Sequence, residues 1–252
     1  MTAAADIQIA ASGLSKVFSA RKRGKFRAVD KVSFEARTGE IFGLLGVNGA
    51  GKTTTLRMLA TMLKPTSGDA TVAGHSITKA AKLVRKHIGF MSTATSLYGR
   101  LTAREMVTYF GRLNNLSDQN IKTKINELFE LLDMHEFADR RCDKLSSGMK
   151  QKVSIVRTVL HDPQVMIFDE PTTALDVLTS RTIVDFVKDC RKRNKCVVLS
   201  THIMEEVEKL CDWVGVIHNG KMLSCESIAD LKARTDSGRV EDAFVKLVEQ
   251  AK

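Results

Sequence analysis

Gly46-Val47-Asn48-Gly49-Ala50-Gly51-Lys52-Thr53 is the stretch from which the architecture can be worked out. It fits the pattern G-x-x-x-x-G-K-[ST]. It also follows the short apolar run Glu40-Ile41-Phe42-Gly43-Leu44-Leu45 and opens a helical pattern, the strand–loop–helix context that the motif requires. Glycines let the backbone curl until successive amides point at one anion, and the helix N-terminus behind them adds positive potential. Lys52 then reaches terminal phosphates and Thr53 offers a hydroxyl to magnesium. The candidate nucleotide contacts are Gly46, Asn48, Gly49, Ala50, Gly51, Lys52, Thr53 and Thr54.

Beyond the loop, residues 54–63 carry Leu56, Leu59, Ala60 and Leu63 at i, i+3, i+4 and i+7, one buried helical face. Pro65, Ser67 and Gly68 are expected to stop that helix. Residues 7–18 and 29–34 read as strands ahead of the glycine-rich loop. A helical middle section is expected over residues 103–160, where Ile121, Ile125, Leu128, Phe129 and Leu132 mark one amphipathic face after Ser117-Asp118. Residues 165–169 and 196–200 return to buried-strand character, as when strands alternate with helices in a parallel sheet. The class is α/β with a helical insert. The absence of any internal repeat and the presence of only three prolines favour one continuous unit.

Hydrophobic residues make up 43% and charged residues 27% of the 252, which excludes a disordered or fibrous chain. The longest apolar runs, such as Val165-Met166-Ile167-Phe168, fall far short of the roughly 20 residues that span a bilayer. Residues 1–11 hold Asp6 and no basic residue before their apolar positions, so a secretory signal is not expected and the chain reads as cytosolic. Five cysteines (Cys142, Cys190, Cys196, Cys211, Cys225) without a Cys-x-x-Cys pair indicate free thiols. The net charge of +10 is local: Arg21, Lys22, Arg23, Lys25 and Arg27 form one cluster and Arg191, Lys192, Arg193 and Lys195 another. These read as two exposed clusters able to meet phosphate or lipid headgroups, rather than as a broad nucleic-acid face.

About 120 residues beyond the loop, an apolar run ends in Asp169-Glu170. That places one carboxylate at the magnesium and the next near the γ-phosphate, at a strand's C-terminal edge. Glu170 can accept a proton from an attacking water or orient it, which suggests hydrolysis. No guanine-reading N-K-x-D is present, since Asn194-Lys195 is followed by Cys196-Val197.

The remaining motifs resemble those of ATP-binding cassette (ABC) transporter ATPase subunits, and the resemblance covers nearly the whole chain. Leu145-Ser146-Ser147-Gly148-Met149 is similar to the family's L-S-G-G-Q signature, departing from it at Ser147 and Met149. Ala174-Leu175-Asp176 resembles its D-loop, and His202 after Leu199-Ser200-Thr201 its switch histidine. The resemblance implies a RecA-like parallel-sheet core, an N-terminal antiparallel part and a helical subdomain at approximately residues 95–160 of a single domain spanning 1–252. It further implies ATP and Mg2+ as ligands, Thr53 and Asp169 at the metal, and Glu170 and His202 as catalytic residues. Ser146 and Gly148 would contact the γ-phosphate of ATP held by a second copy, across an interface that Asp176 crosses. Phe18 is the implied adenine-stacking aromatic, with Phe26 as the alternative.

Within the family, residues 146–153 and 200–208 look most like the bacterial sodium-exporter (NatA-type) subunits. This implies a homodimer on the inner face of the cell membrane, driving a separate membrane-spanning permease. The alternative is an ABC ATPase acting on nucleic acid or ribosomes. Where most relatives have Gln, and some Glu, this chain has Thr93, too short to reach both magnesium and the attacking water. Nearby Leu97, Tyr98 and Leu101 are expected to form an apolar dock for a partner helix.

Overall fold

The computed structural model describes residues 6–20, 24–92 and 96–251. From the N-terminus it runs β1 (Ile7–Ala20), β2 (Gly24–Arg37), β3 (Ile41–Leu45), α1 (Lys52–Leu59), β4 (Ser67–Val72), β5 (His75–Ser76), α2 (Ala81–His87) and β6 (Ile88–Ser92). Next come α3 (Ala103–Leu113), α4 (Asp118–Leu131) and α5 (Ser147–Val159). The chain then continues through β7 (Val165–Asp169), α6 (Val177–Lys192), β8 (Cys196–Thr201), α7 (Met204–Leu210), β9 (Trp213–His218), β10 (Lys221–Ser227), α8 (Ile228–Arg234) and α9 (Val240–Gln250).

The strands make two sheets. One is antiparallel, in the order β2-β1-β4-β5. The other has the order β10-β9-β3-β8-β7-β6 and is parallel except for its edge strand β10. Every residue of β3, β7 and β8 is buried, which is why these strands are apolar runs without polar alternation. Their side chains still alternate between two cores. Ile41, Leu45, Met166, Phe168, Val197 and Leu199 meet the helical layer, while Phe42, Leu44, Val165, Ile167, Cys196 and Val198 face α1 and the antiparallel sheet. The parallel sheet is therefore clamped on both faces, with the C-terminal edges of its strands on one rim.

The α4 periodicity is realised: Ile121, Ile125, Leu128, Phe129 and Leu132 are all buried, and the Ser117 hydroxyl caps the helix by accepting from Asn120 N. The first helix differs from expectation, spanning Lys52–Leu59 rather than 54–63. Gly51, in the left-handed region at φ 111, delivers the chain directly into the helix, and Thr61 at φ 56 turns it out before any proline is reached. Leu63 packs on the core from beyond the helix end.

Two surface expectations also need correction. The second basic cluster is exposed at Arg191, Lys192 and Arg193, but three of its four charges are paired within the fold. Arg191 pairs with Asp212 at 2.9 Å, Arg193 pairs with Glu127 and Asp189, and Lys195 is buried against Asp162 at 2.9 Å. The expected apolar dock is reduced as well. Leu97 and Leu101 pack against the helical core, leaving Tyr98, 57% exposed and edge-on to Tyr109, as the aromatic that faces solvent. Thr93 and the basic residues Arg21, Lys22 and Arg23 lie outside the described residues. Among the described residues no helix is long and apolar enough to cross a membrane, and all five cysteines are free.

Candidate active site

The site forms where β3, β7 and β8 end side by side. Leu45 pairs with Thr201, and Asp169 pairs with both Ser200 and Ser92, so the last residues of β6, β7 and β8 share one level with the start of the glycine-rich loop. The loop has no room for larger residues at key points. A Cβ on Gly46 would collide with the Ile217 carbonyl, and one on Gly51 would stand 2.6 Å from the Ala28 oxygen. A cleft of about 280 Å³ lies above the loop, lined by Phe18, Phe26, Ala28, Asn48, Gly49, Gly51, Lys52, Thr53, Thr54 and Glu170.

Lys52 is only 4% exposed, and its ammonium donates to the carbonyls of Gly46 (2.7 Å) and Val47 (3.2 Å) while standing 3.5 Å from Glu170 Oε1. Burial holds its pKa below the usual lysine value, although Glu170 and Asp169 pull the other way. Glu170 is caught between the same forces. Burial pushes its carboxyl up, but Lys52 and then His202 and Thr173 more than offset this and leave it below the ordinary glutamate value. It is thus an anion with a cation in reach. Its backbone occupies the left-handed region at φ 53, costly for a non-glycine residue, and its N–H is fixed by the Ser200 carbonyl (3.1 Å) and hydroxyl (3.2 Å).

Asp169, 2% exposed, accepts from the Thr53 hydroxyl at 3.0 Å and the Ser200 hydroxyl at 2.7 Å on one oxygen, with the Ser92 hydroxyl 3.5 Å from the other. Among the described residues no group of three or more His, Cys, Asp or Glu could hold a metal. One carboxylate beside a threonine hydroxyl is instead a set of hard oxygens that suits magnesium completed by phosphate and water. His202 Nδ1 lies 3.3 Å from Glu170 Oε1, at ion-pair distance but outside hydrogen-bonding geometry, so that buried nitrogen is left without a hydrogen-bond partner.

The structure therefore gathers the glycine-rich loop, Asp169, Glu170 and His202 into one place. Phe18 and Phe26 are cross-strand partners in the β1–β2 hairpin and both reach the cleft, at 40% and 60% exposure, so the geometry leaves both available to a base. Gly46 and Ala50 belong to the loop without lining the cleft, Asp169 and His202 border it through Thr53 and Glu170, and Ser146, Gly148 and Asp176 do not line it. Ser146 caps α5, and Asp176 caps α6 by accepting from Thr179 N at 2.9 Å. Three hydroxyls went unpredicted: Ser92, Thr173 and Ser200. The available signal was a small polar residue at or just past the end of a buried apolar strand.

This combination of fold and loop defines a P-loop nucleoside triphosphatase with a RecA-like core. The family model described as "ABC transporter" matches residues 29–173. The chain is 41% identical over 222 residues to the ABC transporter ATP-binding protein NatA of Bacillus subtilis, covering 88% of this chain and 89% of that one. It is 35% identical over 233 residues to the probable multidrug ABC transporter ATP-binding protein YbhF of Escherichia coli, of which it spans 40%. A solved ATP-binding subunit of an ABC transporter superposes with a TM-score of 0.86 at 25% identity, covering 96% of this chain and 99% of that one. A dimeric post-hydrolysis cassette, MJ0796 bound to ADP and phosphate, has the same fold at a TM-score of 0.80 and 23% identity, covering 87% of this chain and 98% of that one. The chain belongs to the ABC transporter ATP-binding family and is an ATPase cassette.

Proposed function

We propose that this chain is the ATP-hydrolysing subunit of an exporter, acting as a homodimer that closes on two ATP molecules and drives a separate membrane-spanning permease. The observation that carries this reading is the constellation at the cleft: Lys52 and Glu170 line it, His202 stands 3.3 Å from Glu170, and Asp169 accepts from the Thr53 hydroxyl. Lys52 binds terminal phosphate oxygens. Thr53 and Asp169 hold magnesium, which when bound neutralises phosphate charge. Glu170, kept ionised by Lys52, accepts the proton of the attacking water, and His202 fixes the γ-phosphate beside it. Phe18 stacks on adenine.

Ser146, Gly148 and Asp176 lie outside the cleft, which suits residues that serve the nucleotide of a second copy. The MJ0796 cassette, a dimer with ADP and phosphate bound, agrees with this reading. The three helices between β6 and β7 correspond to the helical subdomain, at approximately 95–160 of a single cassette. Sodium is the favoured cargo, on the strength of the NatA similarity, and the place of work is the inner face of the cell membrane. Exposed Lys25 and Arg27 on the hairpin suit anionic lipid, although Arg27 is partly neutralised by Asp30 at 2.8 Å. Nucleic acid is a poorer partner, because Arg191, Arg193 and Lys195 are already paired within the fold.

The test is reconstitution with the permease that copurifies with the chain. ATP-dependent sodium efflux from vesicles, lost on Glu170→Gln, is the expected result. ATPase activity stimulated by another cargo, with no sodium movement, would reassign the substrate. Capture of ribosomal RNA in place of a membrane subunit would overturn the transporter reading.

A further inference from the structure

The segment between Glu170 and Asp176 joins the two halves of the proposed mechanism: one end carries the carboxylate in the cleft and the other caps α6. It is an unrelaxed piece of chain. Both Glu170 (φ 53) and Ala174 (φ 61) occupy the left-handed region without being glycine, so neighbouring elements must hold them there.

The first turns of α5 brace this segment at both ends. The Gln151 side-chain amide donates to the Pro171 carbonyl at 2.8 Å, one residue from Glu170, and its nitrogen also lies 3.6 Å from the Met91 sulfur on β6. At the far end Gly148 packs so closely on Thr179 that an added Cβ would be 2.9 Å from both its methyl and its hydroxyl. That hydroxyl in turn donates to Asp176 at 2.7 Å. The same helix is capped by Ser146, so its N-terminus and the carboxylate of the cleft are linked by one short path.

We infer that Gln151 is a positioning residue for hydrolysis: by holding the Pro171 carbonyl it sets Glu170, and it ties that setting to whatever engages the N-terminus of α5. This rests on the shared-site reading above. Gln151 touches neither the cleft nor, on that reading, the second nucleotide, so its loss should leave binding intact and slow turnover. A side chain that merely supported α5 would, when lost, weaken binding and turnover together.

The variant Gln151→Met keeps length and removes the donor, while Gln151→Lys restores an N–H at similar reach. For Gln151→Met the expected result is ATP affinity and ATP-driven dimerisation within twofold of the parent, with kcat lower by about three- to tenfold, the scale of one net hydrogen bond. Gln151→Lys should recover at least half of the lost kcat. Turnover by Gln151→Met equal to the parent's would overturn the inference, as would a parallel fall in affinity, melting temperature and kcat that Gln151→Lys fails to relieve. Light scattering on Glu170→Gln with ATP separates the two levels. A dimer there with an unaffected Gln151→Met sinks only the relay, whereas a chain that hydrolyses ATP as a monomer removes the shared-site reading and the relay with it.

Discussion

Replacing Lys52 by methionine keeps the aliphatic stem in its buried slot and removes the ammonium. In the free chain two of its N–H bonds go to the Gly46 and Val47 carbonyls, leaving the third on the side of Glu170 as the one a terminal phosphate oxygen would receive. A hydrogen bond to a charged group is worth about 1.5–3 kcal/mol. A cation about 4 Å from a unit charge adds about 4 kcal/mol at an effective dielectric of about 20, before desolvation is charged against it. Part of that gain is offset, since burial already disfavours the Lys52 cation. The net loss should be about 3–5 kcal/mol, or roughly 10²–10⁴-fold in Kd. Calorimetric titration with ATP measures it directly, and a Kd within threefold of the parent would refute the phosphate role.

The same substitution has a pH signature. In the parent, Glu170 sits below its unfolded pKa, so its ionised form adds stability that is present above that value and lost as pH falls through the lower folded pKa. Without Lys52 the burial penalty loses its main opponent and the carboxyl must move up. The acid side of the melting-temperature profile should therefore begin to change at higher pH in Lys52→Met than in the parent. Superimposable profiles would show that Lys52 does not hold Glu170 ionised.

The cross-strand aromatics make a paired prediction: Phe18→Ala should weaken ATP binding by about 1–3 kcal/mol, the worth of one stacked base, while Phe26→Ala changes it less than threefold. The reverse ranking by calorimetry would move the adenine to Phe26. In the helical layer, a Cβ at Gly111 would approach Ile121 and Leu160 side-chain atoms at 2.7–2.9 Å, so Gly111→Ala should destabilise by about 1–3 kcal/mol in urea unfolding. An unchanged midpoint would mean that α3, α4 and α5 repack freely.

Much of the site was legible because its parts are contiguous. The loop from Gly46 to Thr53 and the pair Asp169-Glu170 each place their groups within a few residues, and the burial of their strands follows from short apolar runs. What was not legible depended on partners far away in sequence. Arg193 and Arg191 are exposed as expected, but nothing local in the sequence shows that Glu127, 66 residues earlier, pairs with the first and Asp212 with the second. The choice between Phe18 and Phe26 could not be read from sequence because a hairpin register puts both on one face. Helix α1 was misplaced by two residues at its start because periodicity sees the apolar face, whereas Gly51 and Thr61 set the ends through backbone conformation. Gln151 carries no signal of its own in the sequence, and only the tertiary contact with Pro171 gives it a role.

On the proposed function, two copies of this chain share two ATP molecules and Glu170 performs hydrolysis. Light scattering of Glu170→Gln with ATP and magnesium, paired with a count of bound nucleotide, tests both halves at once. The expected result is a stable dimer of twice the 27.9 kDa chain mass holding one ATP per chain, with turnover at least about 10²-fold below the parent. A variant that remains monomeric with ATP bound, or that hydrolyses ATP as fast as the parent, would contradict it.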